Sequence, residues 1–98
     1  MFHHVATFRF KSGVTSEDVD RLTRDLRTLA GDLDGLVSYA CGSDLGLRRG
    51  SESYAVAAVF DTVDALASYL SHPQHLEIVR THVSAMVEEK HSVQFAAA

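Results

Sequence analysis

The chain has 98 residues, of which 46% are hydrophobic and 22% charged, and its formal charge is −4. This length predicts one globular domain, residues 1–98, which buries about 60–65% of its unfolded surface and therefore gains from self-association. The charges form no basic stripe, which argues against nucleic-acid binding. The chain has neither an apolar run of about 18 residues nor a signal-peptide pattern, so no membrane association is expected. Cys41 is alone and cannot form an intrachain disulfide, which favours a reducing, cytoplasmic location.

Alternating side chains mark the first strand, between His3 and Lys11. Residues on one side of this strand are His4, Ala6, Phe8 and Phe10. Residues on the other side are His3, Val5, Thr7 and Arg9. The first set is expected to face a core.

A helix follows this strand. Thr15 or Ser16 can cap its amino terminus, and acidic residues fill the first turn, as the positive end of a helix favours. Four apolar residues recur at helical spacing and are expected to face the core: Val19, Leu22, Leu26 and Leu29. Three arginines lie mostly off that stripe and are expected to face solvent: Arg21, Arg24 and Arg27.

The second strand is predicted from Leu36 to Ser43, with Val37, Tyr39 and Cys41 on one side. The next segment, Ser43 to Glu52, is rich in glycine and charge and is predicted to be an exposed connection. Glycines flank its two arginines, a pairing that could hold an anion. Because no strand-to-helix context surrounds them, a plain loop is favoured.

The third strand, Tyr54 to Phe60, is apolar on both sides. Such a strand must be covered on both faces. The few helices of so short a chain can cover only one face of the sheet. The simplest way to bury the other face is to pack it against the same sheet of a second copy. The sequence therefore predicts a homodimer that packs sheet to sheet.

A pair of helices and a last strand complete the chain. Thr62 caps a helix from Val63 to Leu70, and Pro73 opens the next helix, because proline prefers the first helical position. The second helix is predicted to bury Leu76, Val79, Val83 and Met86. The last strand is predicted from His91 to Phe95. This order of elements predicts an α+β, ferredoxin-like split βαβ fold with a four-stranded antiparallel sheet.

Side chains able to transfer protons cluster where the two helices meet. Tyr69 lies one turn before His72-Pro73-Gln74-His75. Two imidazoles and a phenol are costly to bury, so this junction is where a small domain would place a pocket.

Four stretches of the chain match one family pattern: the opening His4 to Lys11, Gly13-Val14-Thr15, Gly35 and, above all, Tyr69 to His75. On these residues the chain resembles the stress-responsive A/B barrel (Dabb) domain family over nearly its whole length. The resemblance implies a dimeric α+β barrel, in which two ferredoxin-like subunits pack sheet to sheet with their helices outside.

The resemblance implies two functions. Most members look like stress-associated proteins of undefined activity, which implies a small homodimer that binds an apolar or polyketide-like ligand. The best-understood branch consists of polyketide cyclases, which close a linear poly-β-ketone by intramolecular aldol condensation. Similarity to that branch implies that His75 is the base, Tyr69 its phenolic partner and His4 a residue of the same cavity. Further ligand contacts are expected from His72, Phe8, Tyr54 and Val79.

An imidazole and a hydroxyl group suit an intramolecular aldol condensation, independently of the family resemblance. Imidazole titrates near working pH and suits proton abstraction between two carbonyls. A hydroxyl donor then stabilises the enolate. No metal, nucleotide or redox cofactor is required.

Other interpretations of these histidines remain open. His72 can be a structural residue whose ring bonds a nearby backbone group, and His75 can be a core histidine satisfied by Tyr69. A metal site is also conceivable, because His82 follows His72 and His75 along the helix, but a fourth ligand at zinc-like spacing is missing. Heme-degrading and quinol monooxygenases share the dimeric barrel, and nothing beyond the fold favours them. A well-formed apolar cavity opening beside His75 would separate a stress-associated dimer from a cofactor-free cyclase, because a filled core there leaves no space for a substrate.

Overall fold

The computed structural model describes residues 1–97 and contains a four-stranded antiparallel sheet in the order β2-β3-β1-β4. The strands are β1 (Phe2–Phe10), β2 (Leu36–Ser43), β3 (Tyr54–Phe60) and β4 (Val87–Ala96). The helices are α1 (Ser16–Gly31), α2 (Val63–Leu70) and α3 (Pro73–Ile78), which continues through a π-helical turn (Val79–Val83) into α4 (Ser84–Met86). This is the predicted ferredoxin-like α+β fold.

Local side-chain bonds set the starts of the helices. Thr15 and Asp18 form a capping box, in which each side chain accepts a hydrogen bond from the backbone N–H of the other, at 3.2 and 3.0 Å. The Thr62 hydroxyl accepts from the Ala65 N–H at 3.1 Å and caps α2. These caps confirm the predicted starts. No helix within residues 1–97 combines the length and apolarity needed to cross a membrane.

Strand pairing gives the sheet two different faces. The inner face is buried under the helices and carries Ala6, Phe8, Tyr54, Val56, Ala58 and Phe60. The core between sheet and helices also contains Leu22, Leu26, Leu29, Leu66, Ile78, Val83 and Met86. On the outer face Val5 pairs with Ala57 on one side and with Val93 on the other. Among residues 1–97 no helix covers that face, and Val93 is 54% exposed.

Three predicted details were wrong. Val37 is exposed, because the β2–β3 register shifts between Leu36 and Ser38, while Tyr39 and Cys41 pack against the core as predicted. Leu76 is also exposed and Ile78 is buried in its place. Ile78 and Val83 are five residues apart across the π-helical turn, so the buried stripe does not keep α-helical spacing there. Finally, β4 begins at Val87 rather than at His91.

Gly35 lies where the backbone leaves little room, between α1 and β2. Its φ is +74°, and a Cβ there would lie 2.6 Å from Asp61 Oδ1 and 2.7 Å from the Ala65 Cβ. The Gly35 carbonyl also accepts a hydrogen bond from the Asp61 N–H at 2.9 Å. Only glycine suits this close approach of the β2 start to the α2 start.

Candidate functional site

A cavity of about 370 Å³ lies between the inner face of the sheet and the helices. Its wall is mainly apolar and is formed by Ala6, Phe8, Leu22, Leu26, Val56, Leu70, Ile78, Val79 and Val83. Polar residues of the lining lie on the β4 side and at the helix junction: His4, Tyr69, His75, Lys90, His91, Ser92 and Gln94. A small apolar chamber with a few convergent polar groups is typical of a ligand site.

The position of the cavity follows from the sheet topology. Helix α1 packs against β2, and α2 packs against β1 and β3. Strand β4 lies at the sheet edge next to β1, and its residues facing the helix layer remain exposed. The cavity is therefore open along β4.

His4 enters the site from β1 and is buried in the core, with 5% of its surface exposed. It pairs in register with Gln94 of β4, and its Nδ1 lies 2.9 Å from the Gln94 amide nitrogen. An amide nitrogen only donates, so His4 Nδ1 is the acceptor. The neutral ring of His4 therefore carries its proton on Nε2.

His75 enters from α3 with the opposite arrangement. Its Nδ1 lies 3.2 Å from the Leu70 carbonyl oxygen. A carbonyl oxygen only accepts, so Nδ1 carries the proton and donates it. The neutral ring of His75 therefore has a free lone pair on Nε2, as a general base requires.

Burial makes both imidazoles weaker bases. It lowers the pKa of His75 below its ordinary value, partly offset by the bond to Leu70, and the positive charge of Lys90 lowers it further. Burial also lowers the pKa of His4, and the neighbouring His75 adds to that effect. A lowered pKa favours the neutral form of both rings at neutral pH.

Tyr69 stands between the two histidines. Its side chain is 2% exposed, and its ring centre lies 4.6 Å from that of His75 and 5.4 Å from that of His4. Burial raises the pKa of the Tyr69 phenol, partly offset by the neighbouring Tyr39 hydroxyl, so the Tyr69 hydroxyl keeps its proton. The three predicted catalytic side chains are thus brought together in one cavity.

The predicted ligand contacts divide into two groups. Phe8 and Val79 line the cavity. His72 lies outside it, where its Nδ1 accepts the Gln74 N–H at 3.1 Å and caps α3. Tyr54 also lies outside the cavity, because its ring stacks behind Phe8 and its hydroxyl bonds the Thr23 hydroxyl at 2.7 Å.

The residues considered for a metal site do not assemble. His82 Nε2 lies 2.6 Å from Asp25 Oδ2 and ties the π-helical turn to α1. His72 and His75 are engaged with backbone groups instead. In the part of the chain that the structure describes, no group of three or more His, Cys, Asp or Glu side chains is placed to hold a metal ion.

Three cavity residues of β4 were missed from the sequence, namely Lys90, Ser92 and Gln94. Alternation along the last strand could have placed Lys90, Ser92 and Gln94 on one side of it. The sequence gives no signal for the pairing of His4 with Gln94, because the two residues are 90 positions apart.

Comparison with known proteins agrees with this architecture. The model of the stress-responsive A/B barrel domain (Dabb) matches residues 2–96, so the chain belongs to the Dabb family. A relative in Arabidopsis thaliana, stress-response A/B barrel domain-containing protein HS1, is 24% identical over 85 residues, which is 85% of this chain and 78% of HS1.

Two solved structures show the same fold. A dimeric ferredoxin-like protein of unknown function from Thermobifida fusca YX is 33% identical, with a TM-score of 0.89 over 98% of this chain and 90% of that one. A hydroxynitrile lyase from Passiflora edulis is 20% identical, with a TM-score of 0.84 over 99% of this chain and 93% of that one. The second likeness concerns the fold alone.

Proposed function

We propose that this protein is a homodimer that binds a small apolar or polyketide-like molecule in the cavity beside His75. The observation that carries the proposal is the cavity itself, whose apolar wall ends at two imidazoles and a phenol. A histidine with a purely structural role would be packed in a filled core. Open space of about 370 Å³ beside these groups instead suits a ligand with a carbonyl or hydroxyl group at one end.

The outer face of the sheet supports dimerisation. Val5, Ala57, Val59 and Val93 lie on that face, and the rings of His3 and Phe95 stack there at 4.8 Å. Phe95 is 46% exposed. Apolar surface of this kind marks a contact with another protein. The Thermobifida fusca relative is described as dimeric, and a second copy of this sheet is the proposed cover.

Calorimetric titration with benzylacetone, a neutral aryl ketone, tests ligand binding. Val79→Phe extends a ring from the π-helical turn into the cavity, whereas Leu76→Phe makes a similar change on the exposed side of α3. The wild type and Leu76→Phe should bind benzylacetone equally, and Val79→Phe should bind it at least about tenfold more weakly. Absence of binding to the wild type, or equal binding by both variants, would contradict the proposal.

A second candidate function is cofactor-independent acid–base catalysis of the polyketide cyclase type. The observation that favours it is the pair of complementary imidazoles, a free Nε2 lone pair on His75 and an Nε2–H on His4. Enzymes gain rate when a base and a hydrogen-bond donor are held in fixed positions around the reacting group. One fold relative of this chain is itself described as a lyase.

In such a reaction His75 Nε2 takes a proton from a methylene between two carbonyls. The enolate carbon then attacks another carbonyl of the same molecule, which forms the new carbon–carbon bond and leaves an alkoxide. The proton held by His75 returns to that alkoxide, so the aldol product has the atoms of the substrate. His4 Nε2–H and the Tyr69 hydroxyl donate hydrogen bonds to the enolate oxygen while its charge develops.

A further inference from the structure

We propose that the natural ligand of this cavity carries a carboxylate, and that Lys90 recognises it at the open side. The inference rests on the proposed binding function and adds the chemical class of the ligand. It assigns a role to a side chain outside the His4, Tyr69 and His75 group.

Strand register turns Lys90 toward the cavity. Lys90 pairs with Phe8, whose side chain is on the inner face, and both residues line the cavity. Ser92 and Gln94 follow on the same side of β4, at successive steps of about 7 Å. Gln94 is engaged with His4, which leaves the Lys90 ammonium and the Ser92 hydroxyl as donors along the open side.

The charge around the cavity is one-sided. Its lining contains the Lys90 ammonium and the neutral imidazoles of His4 and His75, and none of its residues is Asp or Glu. Glu89, the acid next to Lys90 in sequence, faces the other side of the sheet, where it bonds Arg9 at 3.1 Å and His91 at 2.8 Å. Glu88, two residues before Lys90, does not line the cavity. Within residues 1–97 no salt bridge involves Lys90. A ligand anion would therefore be its counter-ion.

The number of donors favours a carboxylate over a phosphate. A phosphate monoester carries nearly two negative charges and is typically held by several cations or by converging backbone N–H groups. A single ammonium next to a serine hydroxyl matches the single charge of a carboxylate. The apolar body of the ligand would then extend past Phe8 and Val79 toward the histidines.

Phenylbutyrate and phenylbutyramide test this inference, because they share shape and differ in charge. At low salt the wild type should bind the carboxylate about tenfold more tightly than the amide, as a charge-assisted hydrogen bond on an open site predicts. Lys90→Met should bind both compounds within about twofold, with its amide affinity unchanged. Arg48→Met, which removes one positive charge from the exposed β2–β3 connection, should keep the wild-type preference.

The possible outcomes separate the two claims. Equal affinity of the wild type for both compounds would overturn the carboxylate inference while leaving ligand binding intact. A carboxylate preference that survives in Lys90→Met would remove Lys90 from the role. Absence of binding by both compounds would overturn the inference together with the proposed function.

Discussion

His4 and His75 line one cavity with their protons on opposite ring nitrogens. Gln94 donates to Nδ1 of His4, and Nδ1 of His75 donates to the Leu70 carbonyl oxygen. The rings come from β1 and α3 and are bridged by Tyr69. One cavity thus contains a hydrogen-bond donor, His4 Nε2–H, and a hydrogen-bond acceptor, His75 Nε2, both of which are imidazole nitrogens.

Removal of the base is predicted to separate catalysis from folding. If the protein is a cyclase-like enzyme, His75→Ala should abolish turnover of a poly-β-ketone thioester, because proton abstraction is lost. Tyr69→Phe should lower the rate by about 10²–10³, since it removes one donor to the enolate. His75→Gln should also be inactive, although its amide can still donate to Leu70 and preserve the fold. Turnover by either His75 variant in a steady-state assay would exclude His75 as the base.

Acid is predicted to destabilise the folded protein through the same histidines. Because burial lowers the pKa of His4 and His75, the unfolded chain binds more protons than the folded one once the pH falls below about 6.5. Stability should therefore be full above that pH and decline as the pH falls toward the folded pKa values. Urea midpoints at about pH 7.5 and 5.5 measure this decline, which should be smaller in His75→Gln than in the wild type. An equal decline in both proteins would show that His75 does not carry the effect.

Charge on the outer sheet face is predicted to break the dimer. Ala57 is exposed in the single chain and lies on the outer face of the central strand β3. Ala57→Asp should raise the dimer dissociation constant by at least about a hundredfold, because an unpaired carboxylate would be buried in each subunit. Ala67→Asp, on the exposed side of α2, should not change it. Sedimentation equilibrium measures both variants, and a wild type that stays monomeric at micromolar concentration would contradict the sheet-to-sheet dimer.

The order of elements could be predicted from the sequence because its signals are local. Caps at Thr15 and Thr62, proline at the start of α3 and alternation in β1 each depend on a few neighbouring residues. The predicted bounds of β2, β3 and α2 agree with the structure. Long-range features could not be predicted in the same way. The exposure of Val37 depends on a register shift against β3. The burial of Ile78 depends on a π-helical turn, which no local sequence pattern predicts.

The candidate site was predictable to a similar extent. His75 and Tyr69 stand out because they are close together in sequence, and the resemblance to the Dabb family added His4. The cavity could not be predicted without the fold. Its wall includes residues of β1, β3, α1 and the π-helical turn, and its open side is formed by β4. The positions of Lys90 beside Phe8 and of Gln94 beside His4 follow from the register between β1 and β4.

The nitrogen-15 spectrum of the two imidazoles, recorded at neutral pH during a titration with benzylacetone, tests whether a ligand binds between a His4 donor and a His75 acceptor. Before addition, both rings should be neutral, with the proton on Nδ1 of His75 and on Nε2 of His4. On addition, the Nε2 signals of both rings should move, and the Nδ1 signals should stay near their starting positions because Leu70 and Gln94 hold them. Charged rings, the same tautomer in both histidines, or Nε2 signals that do not respond to the ketone would contradict the account.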